Sequence, residues 1–228
     1  MKVEYVDHSG SDLLVVNAAR ASFGKHSNDL NDKDVRLINY LAKHKHVLPF
    51  RHPHLTLQCK APLFVARQLM KHQVGFSWSE ESRRYVKTSP EFYWPDKWRK
   101  AADNVKQGSS DEEVALVTHY EYTTLPEGNK VTSQVAPRNL AEGAVQWSVL
   151  CYNELLAGGV APEQARMVLP QNMYTTWMWT GSLLAWVQML KQRLDSHTQK
   201  ETRDFAQMVD KIVAELYPVS YKALMENV

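Results

Sequence analysis

Residues 66–85 read ARQLMKHQVGFSWSEESRRY, and this window holds nearly every side-chain type that binds anions or moves protons. Arg67, Gln68, Lys71, His72 and Gln73 come first; Glu80, Glu81, Ser82, Arg83, Arg84 and Tyr85 follow. Arg67 and Lys71 are an i, i+4 pair, as are Gln68 and His72, so a helix puts the four on one face. Val65, Leu69 and Met70 then face a core from the other side. Gly75 breaks the pattern and predicts a loop carrying the Ser, Glu and Arg residues. A cationic helix face running into such a loop suits a phosphate-bearing ligand. Arginine forks make charge-assisted bonds to phosphate, and loop hydroxyls and N–H groups add to them. An ordinary solvated helix with a charged loop uses the same residue types equally well.

Other groupings invite different chemistry. His44, His46, His52 and His54 form two H-x-H pairs, a spacing that binds metal on a strand. No cysteine accompanies them and no carboxylate lies between them, so no metal site is expected. Asp195, Ser196 and His197 are triad types, but adjacent residues do not reach the nucleophile–base–orienter geometry. Arg83, Arg84, Lys87, Trp78 and Tyr85 combine charge with stacking surface, as a nucleic-acid binding module would.

The elements that must position these groups can be read from period and punctuation. Residues 13–16 are a short apolar run, expected as a buried strand. Asn31 or Asp32 caps a helix ending near His44. Residues 54–60 alternate, with Leu55, Leu57 and Cys59 on one side of a strand. Pro62 opens the helix that carries Arg67 to His72. Residues 107–111 and 125–129 are turn-rich and expected as surface loops. A long helix covers 140–156 and stops at Gly158-Gly159. A short one runs from Pro162 to Pro170, with Glu163 in its first turn. Residues 177–179 are extended, a helix follows Gly181 to about Leu194, and a final helix spans 199–217. The fold class is α+β, a mixed sheet flanked by helices, in one domain over residues 1–228.

Composition narrows the classes. Hydrophobic residues make up 44% of 228, enough for a sizeable core. The net charge of +2 argues against a general nucleic-acid or membrane-surface binder. No apolar run is long enough to span a bilayer, and no secretory h-region is present. Cys59 and Cys151 have neither metal nor redox spacing, which fits a reducing cytoplasm with both thiols buried. The tryptophans of residues 177–186 read as core or subunit interface.

The 66–85 window also resembles the signature of the flavin-dependent thymidylate synthases, R-H-R, seven residues, then S, extending to N-E-x-S-x-R-Y. The matching residues are Lys71-His72-Gln73, then Ser79-Glu80-Glu81-Ser82-Arg83-Arg84-Tyr85. Lys71 and Gln73 replace both arginines, eight residues separate Gln73 from Ser82, and Ser79 stands for Asn. Further blocks resemble the family in order. They are Ala18-Ala19-Arg20-Ala21-Ser22-Phe23, then Lys43-His44-Lys45-His46 with Pro49-Phe50-Arg51-His52, then Lys60 to Gln68 (KAPLFVARQ). Ala165-Arg166-Met167-Val168-Leu169-Pro170 and Arg193 with Asp195 to Gln199 complete them. Residues 96–139 carry no such block. The departures, with Arg51 for Glu and Leu184 for an Arg of some members, suit a divergent branch, such as one carried by a bacteriophage.

The resemblance implies transfer of a methylene group from methylenetetrahydrofolate to C5 of dUMP. FADH₂ reduces that group and NADPH recharges the flavin, in a homotetramer with active sites between subunits. It implies Arg193, His46 and His72 as catalytic residues. Gln68, Glu80, Glu81, Ser82, Arg83, Arg84, Arg166 and Arg193 would bind the nucleotide. Ser22, His46, Lys71, His72, Gln73, Ser182 and Gln188 would bind FAD. Read without it, Arg166 also suits an i−3 pairing with Glu163, and Arg193 a helix C-terminal cation. Because an Arg-to-Lys change is not conservative at a bidentate site, the substitutions also suit a flavin-dependent pyrimidine deoxynucleotide hydroxymethylase or another modified-base synthase.

Overall fold

Leu55, Leu57, Cys59 and Ala61 alternate with more exposed neighbours, and in the computed structural model of the chain all four lie fully buried on one face of a strand. The structure describes residues 1–103, 108–122 and 130–228. In chain order the elements are β1 (Lys2–Ser9), α1 (Asp12–Arg20), α2 (Asp32–Lys43), β2 (His54–Pro62), α3 (Leu63–Leu69), β3 (Phe76–Glu80), β4 (Arg99–Ala101) and β5 (Ser109–Glu113). They continue with β6 (Val117–Tyr122), β7 (Lys130–Val135), α4 (Pro137–Ala157), α5 (Pro162–Ala165), β8 (Tyr174–Ser182), α6 (Leu183–Arg193), α7 (Lys200–Leu216) and α8 (Pro218–Asn227). They group into two compact units, Met1–Glu81 with Tyr174–Val228, and Ser82–Met173.

The first unit is built on an antiparallel sheet of order β1-β2-β8-β3. Its buried face presents Leu55 and Leu57 of β2 beside Trp177 and Trp179 of β8, in the register Leu57↔Trp179 and Cys59↔Trp177. Trp78 of β3 stacks on Trp177 at 4.4 Å, and Trp177 lies 5.6 Å from Phe205 of α7. Val15, Ile38, Val187, Val209 and Leu224 bring α1, α2, α6, α7 and α8 onto the same core. The expected caps are present. The Asn31 side chain accepts from Lys33 and Asp34 N–H, and Asp34 reaches back to complete a capping box. Asp12, itself buried, accepts from the backbone N–H groups of Val219 (3.0 Å) and Ser220 (2.8 Å), satisfying the start of α8 from α1.

Several expectations need correction. The apolar run 13–16 is not a strand but part of α1. A run of that length is ambiguous, and Ser11, which caps Leu13 N–H, decides for the helix. The strand of this region is β1, largely exposed along one sheet edge and without a clean alternation to announce it. The helix from Pro62 ends at Leu69, so Lys71 and His72 lie in a turn beyond it rather than on its Arg67–Gln68 face. Met70 is exposed rather than core-facing. The stretch after Gly75 is not a loop at first but β3. Phe76, Trp78 and Glu80 are half-buried while Ser77 and Ser79 face solvent, a period-2 pattern disguised by the charged residues after it. The helix expected over 199–217 is α7, but it is not the final one: Pro218, whose ring lacks an N–H to continue α7, opens the unanticipated α8.

In the second unit β4 pairs with β5 and β6 with β7, both antiparallel. Helix α4 begins at Pro137 and ends against Gly158, as the pattern over 140–156 anticipated. Residues 109–111 belong to β5 rather than to a loop. Gln107 and the 125–129 segment lie outside the described residues. Cys151 is half-buried, whereas Cys59 is fully buried and burial pushes its thiol well above its ordinary value. Among the described residues no helix is long and apolar enough to cross a membrane.

Gly181 lets β3 close on β8. A Cβ there would stand 2.4 Å from the Phe76 ring and 3.2 Å from Trp186 Nε1. Gly181→Ala is therefore expected to displace Phe76 and lower stability by about 1–3 kcal/mol. Urea unfolding followed by tryptophan fluorescence would read this as a lower midpoint at unchanged slope.

Candidate functional site

The turn after α3 and the face of α6 enclose a cavity of about 550 Å³ in the first unit. The turn is shaped by Gly75 at φ 77°, where a Cβ would meet Ala185 at 3.0 Å and Ser182 Oγ at 3.1 Å. Gly75 carbonyl accepts from Ser182 N–H at 3.1 Å, and Ser182 Oγ caps α6 by accepting from Ala185 N–H. Turn and helix start are thus locked together. The wall carries three cations (Lys71, Lys191, Arg193), three amides (Gln73, Gln188, Gln192), His72, and apolar surface from Val74, Phe76 and Ala185. Among the described residues no Asp or Glu side chain lines it. Cations and amides without an opposing acidic side chain favour an anionic, hydrogen-bonding ligand.

Arg193 is clasped in place. Its Nε donates to His72 Nε2 at 2.9 Å and its Nη2 to the Gln68 carbonyl at 3.1 Å. Burial, and then the adjacent Arg193 charge, push His72 down to about 4, so the ring is neutral at pH 7 and its Nε2 accepts. Burial also pulls the Arg193 guanidinium down from its ordinary value. The Gln68 side chain is held from the other side by Gln199 and Thr202 at the start of α7.

The remaining nucleotide-binding candidates divide between the units. In the first, Glu80 accepts from Thr175 Oγ1 at 2.7 Å and Trp78 Nε1 at 3.3 Å, and Glu81 N–H donates to the Thr176 carbonyl at 2.9 Å. In the second, Ser82 Oγ accepts from Arg84 Nε at 3.1 Å and from Arg166 Nη1 at 3.3 Å. Arg83 donates to the Thr88 carbonyl, and Arg84 lies over the Tyr85 ring at 5.1 Å. Arg166 bonds the Glu163 carbonyl at 3.3 Å, not its carboxylate. Among the described residues Arg83, Arg84 and Arg166 have no ion-pair partner. Two such guanidinium groups converging on one hydroxyl form an anion-attracting patch.

Ser22 and His46 stand apart from the cavity. Ser22 donates to the Ala19 carbonyl at 3.3 Å, and His46 lies 6.2 Å from Tyr40 and 6.3 Å from His44. Arg51 is exposed, and Leu184 is buried in the core. Lys191, Gln192, Glu201 and Thr202 receive no role from the sequence alone, and Gln199 enters only as the end of a family block. A signal existed for the first two: with Gln188 they sit at i, i+3 and i+4, a polar stripe on an otherwise apolar helix. Among the described residues no three of His, Cys, Asp and Glu gather as a metal site. Asp195 accepts from His197 N–H at 2.8 Å and pairs with its ring at 3.0 Å, an exposed local turn. Trp78 is committed to its stack on Trp177 rather than free for a base.

Known proteins resemble this chain over most of its length. The family described as "Thymidylate synthase complementing protein" matches residues 4–219. A flavin-dependent thymidylate synthase of Thermotoga neapolitana is 36% identical over 98% of this chain and 90% of its own length. That of Thermus thermophilus is 38% identical over 99% of this chain and 76% of its own. Among solved structures, the UMP/dUMP methylase PolB of Streptomyces cacaoi, bound with 5-Br dUMP, superposes with a TM-score of 0.77 and 30% identity, covering 99% of this chain and 94% of that one.

A depressed imidazole leaves a signature. Between pH 6.5 and about 4 the unfolded His72 takes up a proton that the folded one refuses. The stability it contributes is therefore present above pH 6.5 and is lost as pH falls toward 4. An NMR titration of the His72 ring is expected to show a midpoint near 4. A midpoint at the ordinary histidine value would contradict the clasp with Arg193.

Proposed function

The chain belongs to the flavin-dependent thymidylate synthase family, and on that premise we propose that it transfers a one-carbon unit from methylenetetrahydrofolate to C5 of dUMP and completes it to a methyl group, giving dTMP. The observation that carries the reading is Arg193, clasped by neutral His72 and the Gln68 carbonyl on the wall of a cationic cavity, within a chain that matches the family over residues 4–219.

The cavity suits a flavin dinucleotide. Its cations fit a pyrophosphate and its amides fit the hydrogen-bonding edge of a flavin ring. When bound there, FAD would supply the hydride, with NADPH restoring its reduced form. Lys71, His72, Gln73 and Gln188 would hold it directly, and Ser182 would act by fixing the start of α6. Ser22 and His46 do not line this chain's cavity. We therefore assign them to the cavity of a neighbouring copy, in a homotetramer with shared active sites. Exposed Leu140, Trp147 and Leu150 along α4 support assembly, being more apolar surface than one helix face normally leaves in water.

For the nucleotide, Arg84 and Arg166, with Arg83 and the Ser82 hydroxyl, are assigned to the phosphate, where guanidinium forks match its oxygens. Gln68 and Arg193 are assigned to the base, and Glu80 and Glu81 to the sugar side through carboxylate or backbone groups. Neutral His72 keeps Arg193 oriented without competing for the anion. Free cysteines and small soluble substrates fit a cytoplasmic enzyme. Lys71 and Gln73 line the cavity where relatives of the signature carry arginine. That observation keeps a second reading in play, in which water rather than hydride completes the one-carbon unit as hydroxymethyl. Lysine offers a point charge where arginine offers a planar fork.

Mass spectrometry of products from dUMP, methylenetetrahydrofolate, FAD and NADPH, with FAD omitted from a control, separates these readings. FAD-dependent dTMP is expected. A hydroxymethyl nucleotide would establish the second reading, and no product from dUMP or dCMP would defeat both. Independently, Trp147→Glu is expected to convert the assembly to a smaller species in light scattering. A tetramer of unchanged mass would remove α4 from the interface.

A further inference from the structure

The Gln68 amide is oriented by a chain of hydrogen bonds that reaches a buried carboxylate. Gln68 Nε2–H donates to Gln199 Oε1, and Gln68 Oε1 accepts from the Thr202 hydroxyl at 3.1 Å. Gln199 Nε2–H donates to Glu201 Oε2 at 3.0 Å. Glu201 is only 4% exposed and Thr202 is fully buried, both at the start of α7. A negative group at that end of a helix is favoured by the helix dipole.

An amide side chain is ambivalent: turned over, it exchanges donor and acceptor within nearly the same shape. A carboxylate is not, because it only accepts. Glu201 therefore requires the NH₂ of Gln199, which leaves Gln199 Oε1 facing Gln68. That acceptor requires Gln68 Nε2, and Gln68 Oε1 is left for the Thr202 hydroxyl. Direction passes from the carboxylate through two amides. Gln68 keeps one N–H and one lone pair to offer a ligand, and its backbone carbonyl holds Arg193 at 3.1 Å.

We propose that Glu201 is a positioning residue that sets the polarity of the Gln68 amide through Gln199, and thereby selects uracil over cytosine in the bound nucleotide. The proposal rests on the assignment of Gln68 to the base. Uracil presents a carbonyl acceptor beside the N3–H donor; cytosine presents an amino donor beside an unprotonated N3 acceptor. A Gln amide of fixed polarity pairs with one edge. Against the other it sets donor to donor and acceptor to acceptor, and leaves buried groups unpaired.

The test uses the full-length protein with FAD, methylenetetrahydrofolate and NADPH. Binding of dUMP and dCMP is measured by calorimetry, and kcat and KM are measured for each. Glu201→Gln preserves size but presents Gln199 with an end that meets it either way round. Thr202→Val removes the hydroxyl at the other side of Gln68 and remains informative if the first variant unfolds. The wild type is expected to prefer dUMP. Each folded variant is expected to lose about ten-fold or more of that preference, through KM and Kd for dCMP rather than its kcat. A merely structural role would lower thermal stability and both activities together, leaving the ratio intact, and folded variants with an unchanged ratio overturn the proposal. Gln68→Ala separates the two failures. If it erases the preference while Glu201→Gln does not, only the role of Glu201 falls. If it leaves the preference intact, the assignment of Gln68 to the base falls, and the role of Glu201 with it.

Discussion

Antiparallel pairing of β2 with β8 is the constraint on which the cavity depends. Each strand runs without a loop into a helix, β2 into α3 after Pro62 and β8 into α6 after Ser182. The register that sets Leu57 against Trp179 therefore also sets where both helices begin. A one-residue slip would carry the tryptophans to the opposite face of the sheet. It would also move Arg193, eleven residues down α6, out of reach of the His72 ring. Burial of Trp177, Trp179 and Trp186 makes that slip costly, because each removes a large apolar surface from water.

Electrostatics complete what packing starts. The cavity gathers Lys71, Lys191 and Arg193 without a carboxylate side chain in its wall, an arrangement that self-repulsion disfavours unless each charge is tied down. Two of them are. Lys191 donates to the Met225 carbonyl of α8 at 2.9 Å, and Arg193 is held by His72 and Gln68. Both sit in the last turn of α6, where the helix dipole favours cations. Neutral His72 adds a donor–acceptor contact without adding charge, so affinity for an anionic ligand is retained. In the second unit the same economy appears around Ser82: a hydroxyl spaces Arg84 and Arg166, and among the described residues neither has an ion-pair partner.

Much of this was legible before any coordinates. Alternation at Leu55, Leu57 and Cys59 announced β2, the Asn31 box announced α2, and Gly158 closed α4, because each depends on neighbours within a few residues. The ordered blocks around His72, Arg166 and Arg193 pointed to the family and to the residues now gathered in two clusters. The errors share a cause. Residues 13–16 and 76–80 carry weak local signals: the Ser11 cap alone decides the first for a helix, and pairing with β8, distant in sequence, decides the second for a strand.

The sequence by itself determined the α+β class, the anion-seeking residue types and most helix boundaries, since these follow from composition, period and caps, while the family followed from the resemblance of its ordered motifs. Only the tertiary structure decided which polar groups act on one another. It placed His72 against Arg193 across 121 positions and so depressed the imidazole, and it brought Thr202 to Gln68 across 134. Burial and partnership are properties of space rather than of spacing. A histidine's charge, or an amide's orientation, therefore cannot be read until the chain has folded around it.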